Sequence, residues 1–253
     1  MSEPDRFRDA LRFLTVLPVA PSPDAMAPDW LARALKYFPA VGLLIGLLSA
    51  LTLLIAGYFW NDFLAALLAA AMSMALTGAL HEDGLADTAD AFGGGRSGEQ
   101  RLAIMKDSRI GTYGTLALGL GVALRVAAVA ELPTWAAVTG LIAAHALARA
   151  TPAIVMRRLS YSGDAAAMKA GYSETKLRDG EWSVLWTVCA AALIPLLFVS
   201  IRAAVVGVIF AALLTLAMIA WSRRMIGGYT GDVLGAVEQV FEIGFLLGVA
   251  AMF

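Results

Sequence analysis

The segment His81-Glu82-Asp83-Gly84-Leu85-Ala86-Asp87-Thr88-Ala89-Asp90 is the richest concentration of chemistry in the chain. Asp83, Asp87 and Asp90 stand at i, i+4 and i+7, so a helical conformation puts their carboxylates on one face, aimed at one small volume. Like charges that close raise one another's pKa or splay apart unless a cation holds them. Oxygen-only ligands favour Mg²⁺, Mn²⁺ or Ca²⁺ over zinc, and Mg²⁺ is usually held by one or two carboxylates together with substrate phosphates. The pattern therefore points to metal-assisted phosphate chemistry. Alone, it also reads as a solvated acidic segment that caps a helix.

The next residues along the chain favour the first reading. Gly93-Gly94-Gly95 lets backbone approach a ligand, and Ile104-Met105-Lys106-Asp107-Ser108-Arg109-Ile110-Gly111 sets cations beside the acids. Lys106 and Arg109 suit phosphate oxygens, Arg109 by its planar fork, while Asp107 offers the metal a fourth carboxylate. A further polar island, Gly227-Gly228-Tyr229-Thr230-Gly231-Asp232, precedes a final apolar run that carries Glu238 and Glu242. Carboxylates inside an apolar run are costly and by default face a bundle interior or a polar cavity, so the last helix is expected to line the site. Arg125, His145 and Arg149 read as packing or interhelical hydrogen-bonding groups.

The elements that position these residues are set by composition. Of 253 residues, 60% are hydrophobic and 15% charged, far more apolar than a soluble domain of this size. The net charge of −1 gives no excess of basic residues that would point to nucleic acid. The single cysteine, Cys189, sits in an apolar run and reads as a small packing residue. About seven apolar runs are long enough to cross a bilayer: Phe38 to Tyr58, Phe63 to Leu80, Tyr113 to Ala130, Trp135 to Ala150, Trp182 to Ser200, Ala203 to Trp221 and Val233 to Phe253. The fold expected is all-α, a polytopic membrane bundle forming a single domain over 1–253. Phe7, Leu11 and Leu14 repeat opposite Arg6, Arg8 and Arg12, which predicts an N-terminal helix, interfacial or packed on the bundle.

Basic residues cluster before the first run (Arg6, Arg8, Arg12, Arg33, Lys36) and between the second and third (Arg96, Arg101, Lys106, Arg109). They return between the fourth and fifth (Arg149, Arg157, Arg158, Lys169, Lys176, Arg178) and between the sixth and seventh (Arg223, Arg224). The other connections nearly lack them. The positive-inside rule then puts the N-terminus and the long polar loops in the cytoplasm.

Four segments in order resemble the cobalamin synthase family, also called adenosylcobinamide-GDP ribazoletransferase. They are Phe13-Leu14-Thr15-Val16-Leu17-Pro18, His81 to Asp90 with its trailing glycines, Ile104 to Gly111, and Gly227 to Gly235. The resemblance implies transfer of the cobinamide phosphate of adenosylcobinamide-GDP to α-ribazole or its 5′-phosphate, with release of GMP, in a bacterial inner membrane. It implies Mg²⁺ on Asp83, Asp87 and Asp90, Lys106 and Arg109 on the leaving GMP, and Asp107 or Asp232 orienting or deprotonating the attacking hydroxyl. Cobalt would arrive inside the substrate, so no soft-ligand cobalt site is needed. The large corrin calls for a broad vestibule near the membrane surface. A homo-oligomer is compatible with all of this.

The nearest rival is a CDP-alcohol phosphotransferase, whose motif also opens on Asp-Gly. Here its Ala-Arg pair is replaced by Ala86-Asp87, and its later aspartate spacing is absent. A prenyltransferase steps its aspartates by three and then four, the reverse of this order. An ion-coupled transporter would use Glu238, Glu242 and the acidic segment as an ion path, but no inverted repeat is visible.

Overall fold

The computed structural model describes residues 2–23, 25, 27, 29–163 and 176–253. Lys169, one of the cations that set the expected orientation, lies outside the described residues.

An amphipathic helix α1 (Glu3–Leu14) opens the chain, its start fixed by a capping box between Ser2 and Asp5. Its Ala10 and Leu14 face is buried against α2 (Trp30–Ala34) and α3 (Phe38–Phe59), so it packs on the bundle. The bundle continues through α4 (Asp62–Thr77), α5 (Leu80–Gly94), α6 (Gly98–Met105), α7 (Thr112–Ala130) and α8 (Thr134–Ala148). It closes with α9 (Thr151–Arg158), α10 (Trp182–Val199), α11 (Ile201–Ile226) and α12 (Gly231–Ala250). The described residues contain no strand, only an isolated bridge between Tyr161 and Tyr229.

Among the described residues, six helical runs are long and apolar enough to cross a membrane: Trp30–Phe59, Thr112–Ala130, Thr134–Arg158, Asp179–Val199, Ile201–Ile226 and Gly231–Ala250. A seventh is reached if α4 and α5 count as one bent span, their axes meeting at 90°. At 16 residues α4 spans about 24 Å at 1.5 Å per residue, short of a hydrocarbon core of about 30 Å. The chain is thus an all-α polytopic bundle. Leu51, Ile55, Leu116, Leu120, Phe198 and Leu213 point outward, as side chains do where the surrounding solvent is lipid.

Three expectations shift. The second run ends at Thr77 rather than Leu80, and the acidic segment forms a separate helix, α5. The last helix begins at Gly231 rather than Val233, which brings Asp232 into its first turn. Arg149 is not a loop cation; it sits 1% exposed at the end of α8.

Two apolar cores divide the bundle. One, built around Leu14, Leu31, Phe38, Met105, Met156 and Val233, lies at the end where the polar motifs gather. The other, around Leu53, Val129, Leu141, Leu196 and Phe245, fills the opposite half. Close helix approach depends on small residues. A Cβ on Gly84 of α5 would lie 2.7 Å from the Asp232 carbonyl oxygen, and one on Gly248 of α12 would lie 2.8 Å from Gly207 Cα in α11.

The right-angle turn between α4 and α5 is made by two successive left-handed residues, Gly78 at φ 61° and Ala79 at φ 56°. Glycine adopts that conformation freely, whereas a Cβ there costs about 1 kcal/mol. Gly78→Ala is therefore expected to lower stability by about 1 kcal/mol and Ala79→Gly to raise it by about as much. Thermal unfolding of the two purified variants in one detergent checks both signs.

Candidate active site

A cavity of about 570 Å³ opens at the motif-bearing end of the bundle. Its lining draws on all four segments singled out in the sequence: Phe13 and Leu14, then His81 and Asp83, then Met105 and Lys106, then Thr230 to Asp232 with Gly235. The close crossing of α5 and α12 at Gly84 sets Asp83 and Asp232 on adjoining helices at its edge.

The three aspartates of α5 have parted roles. Asp83 is exposed and lines the cavity. Asp87, one turn on, is half-buried in the part of the chain that has already turned off the apolar α4. Its carboxyl is pushed up to about 7, first by burial and then by the charges of Asp83, Asp232 and Asp90. Asp90 is turned away into the protein, where Oδ2 accepts the Gly111 N–H at 2.6 Å and Oδ1 the Gly114 N–H at 2.8 Å. It thereby caps the N-terminus of α7, whose own N-cap is a glycine with no side chain to offer. Gly111 and Gly114 leave room for that carboxylate, since a Cβ on either would collide with it.

Among the described residues, no group of three or more His, Cys, Asp or Glu side chains forms a ready-made metal centre. The donor chemistry nonetheless fits a hard cation. All the acids near Asp87 are oxygen donors, and the charges of Asp83 and Asp232, which line the cavity, act together on Asp87. Such a site suits Mg²⁺ completed by phosphate oxygens.

Lys106 lines the cavity, but Arg109 does not join it. The Arg109 side chain is 86% exposed and grips Asp107 bidentately, with Nη2 to Oδ2 at 2.6 Å. That guanidinium holds the Asp107 carboxyl down at about 2. Asp107 is also absent from the cavity lining.

The bundle also holds a buried ionic network that joins Arg125, His145 and Arg149, which read in the sequence as packing or hydrogen-bonding groups, to glutamates of α5 and α12. Arg125 of α7 donates to Glu82 Oε1 at 2.8 Å, to Gln239 Oε1 at 2.7 Å and to Ser73 Oγ at 3.1 Å. Glu242 of α12 receives Arg149 Nη1 at 2.6 Å and meets His145 Nδ1 at 2.7 Å. His81 Nε2 and Glu238 Oε2 approach to 2.7 Å without the angles of a hydrogen bond, and Arg149 Nε lies 3.9 Å from the same oxygen. Two signals were available in the sequence: glutamates inside an apolar run, and cations at helical spacing in other runs. Pro152, Met156 and Tyr161, also in the lining, carried no signal of their own.

The profile of the family described as CobS: Cobalamin-5-phosphate synthase matches residues 6–250, and the chain belongs to this family. A curated relative from Leptothrix cholodnii, named adenosylcobinamide-GDP ribazoletransferase, is 39% identical, covering 94% of this chain and 92% of its own. Relatives of the same name from Bradyrhizobium diazoefficiens and Azorhizobium caulinodans are each 43% identical, covering 96% and 95% of this chain and 92% and 93% of their own. No solved structure matches.

Substitutions at two positions separate the supports of the site. Asp90→Ala strips two N–H groups of their acceptor and is expected to cost about 1–2 kcal/mol, with Asp90→Asn milder because one oxygen remains. Arg125→Met leaves Glu82 and Glu242 without a shared cation in an apolar interior and is expected to cost about 3 kcal/mol or more. Denaturant titration of the variants in mixed micelles ranks the three.

Proposed function

We propose that the chain catalyses the last assembly step of cobalamin, transferring the cobinamide phosphate of adenosylcobinamide-GDP to a ribose hydroxyl of α-ribazole or α-ribazole 5′-phosphate. The hydroxyl oxygen forms a bond to the phosphorus that carries cobinamide, the bond from that phosphorus to the bridging diphosphate oxygen breaks, and GMP leaves. The observation that carries this reading is the convergence on one cavity of four segments lying between Phe13 and Gly235, among them two carboxylates and a lysine. Relatives similar over nearly the whole chain bear the name of this activity. Phosphoryl transfer asks the protein mainly for positioning and for charge complementary to the phosphate oxygens, which is what such a lining supplies.

Asp83 and Asp87 would hold Mg²⁺ with Asp232 across from them; when bound, the ion neutralises diphosphate oxygens. Asp90 supports that pair from behind by anchoring α7. Lys106 bears on the leaving GMP. Asp232, at the cavity edge, orients the attacking hydroxyl and takes its proton; Asp107 is poorly suited to that task because Arg109 occupies its oxygens and holds its pKa at about 2, which leaves it a weak base. Placement of the cations along the chain supports an inner-membrane protein with this end of the bundle in the cytoplasm.

Purified, reconstituted protein given adenosylcobinamide-GDP and α-ribazole is expected to release GMP and form a cobalamin product, detected by mass spectrometry, and to lose both on chelation of Mg²⁺. Asp87→Asn should lower turnover at least about a hundredfold while leaving membrane insertion intact. CMP from a CDP-alcohol in place of GMP would overturn the assignment.

A further inference from the structure

The cavity has unlike walls. Of its polar lining, Asp83 and Lys106 are exposed and Asp232 partly so, whereas its apolar and partly aromatic lining, Phe38, Met105, Pro152 and Met156 with the partly exposed Phe13, is mostly buried. His81 and Glu238 also line it, 2% and 3% exposed. Both ring nitrogens of His81 and Oε2 of Glu238 lack a hydrogen-bond partner, although Oε2 lies 2.7 Å from His81 Nε2 and 3.9 Å from Arg149 Nε. Buried polar atoms in that state cost free energy that a ligand's hydroxyl groups can recover.

A cavity of about 570 Å³ is of small-molecule size. A corrin with its amide arms overfills it; one nucleoside does not. The two nucleosides of the proposed reaction differ in what they demand of the apolar wall. Guanine presents donors and acceptors around its edge that this wall would leave unpaired. The alkylated benzimidazole of α-ribazole has no N–H and carries methyl groups, so it loses little there and gains by burial.

We infer that this cavity is the acceptor subsite: the benzimidazole ring lies on the Phe13, Phe38 and Met156 wall, and the sugar hydroxyls meet His81 and Glu238. The corrinoid and its GDP then stay at the mouth, beside Asp83, Asp232 and Lys106, and the attacking hydroxyl faces them from within. The assignment rests on the proposed reaction and specifies which substrate the cavity encloses.

Steady-state kinetics of the full chain in proteoliposomes tests it. Met156→Trp, which fills the apolar side, is expected to raise the KM for α-ribazole about tenfold or more and to leave the KM for adenosylcobinamide-GDP within about twofold. A rise confined to the donor's KM, or a fall in kcat with both KM values unmoved, overturns the subsite. Calorimetry on the unaltered protein gives a second reading that needs no variant to fold. α-Ribazole is expected to bind without donor and to resist displacement by excess GMP, whereas competitive displacement by GMP overturns the assignment. Failure of the reaction itself has a different signature, since the unaltered protein would then release no GMP from the two substrates.

Discussion

Glu82, Glu238 and Glu242 are carried into the interior of an apolar bundle, 4%, 3% and 1% exposed, and such charges persist only if cations reach them there. The cations come from other helices, Arg125 from α7 and Arg149 from the end of α8, and His145 of α8 adds a polar contact to Glu242. Because Arg125 also touches Ser73 and Gln239, one guanidinium ties α4, α5, α7 and α12 together. Charge pairing is directional and has one good solution, whereas apolar packing between Ala- and Leu-rich helices has many near-equal ones. The network therefore sets the register of α5 against α12, on which the cavity's acidic edge depends.

Given that register, the smallest residues determine how closely the elements approach. Gly84 lets α5 come within reach of the Asp232 backbone, and the left-handed pair Gly78 and Ala79 swings α5 across the end of α4. Asp90 then holds the start of α7 against α5 through two backbone N–H groups. His81 and Glu82 consequently face inward to the network, Asp83 faces the cavity, and Asp90 is spent on structure. One short helix serves anchoring and chemistry from neighbouring faces.

A membrane enzyme of phosphate chemistry faces opposed demands, since the reaction needs concentrated charge and the bilayer expels it. The bundle resolves this by gathering the charged lining at one end, on helix starts and ends. α1 and the first core, around Leu31 and Phe38, support that end, and the second core and an outward apolar belt occupy the rest.

The all-α polytopic architecture was legible in the sequence because hydrophobic run length is a one-dimensional property tied directly to bilayer thickness. The acidic segment, the Lys106 segment and the Gly227 to Gly235 segment were legible as parts of one site, because acids, cations and glycines at those spacings have few bland uses in so apolar a chain. What the sequence could not rank was which carboxylate does what. Asp83, Asp87 and Asp90 share a helical face, but the burial of α5 varies along its length, and the N-terminus of α7 captures Asp90. Arg109 looked equivalent to Lys106, yet a neighbour two residues away, Asp107, holds it outside the cavity. The meeting of Arg125, Glu82 and Glu242, and the use of Met156 and Pro152 as cavity wall, belong to tertiary structure alone. They depend on contacts between segments far apart in the chain, and spacing within a single run carries no information about which other run lies opposite.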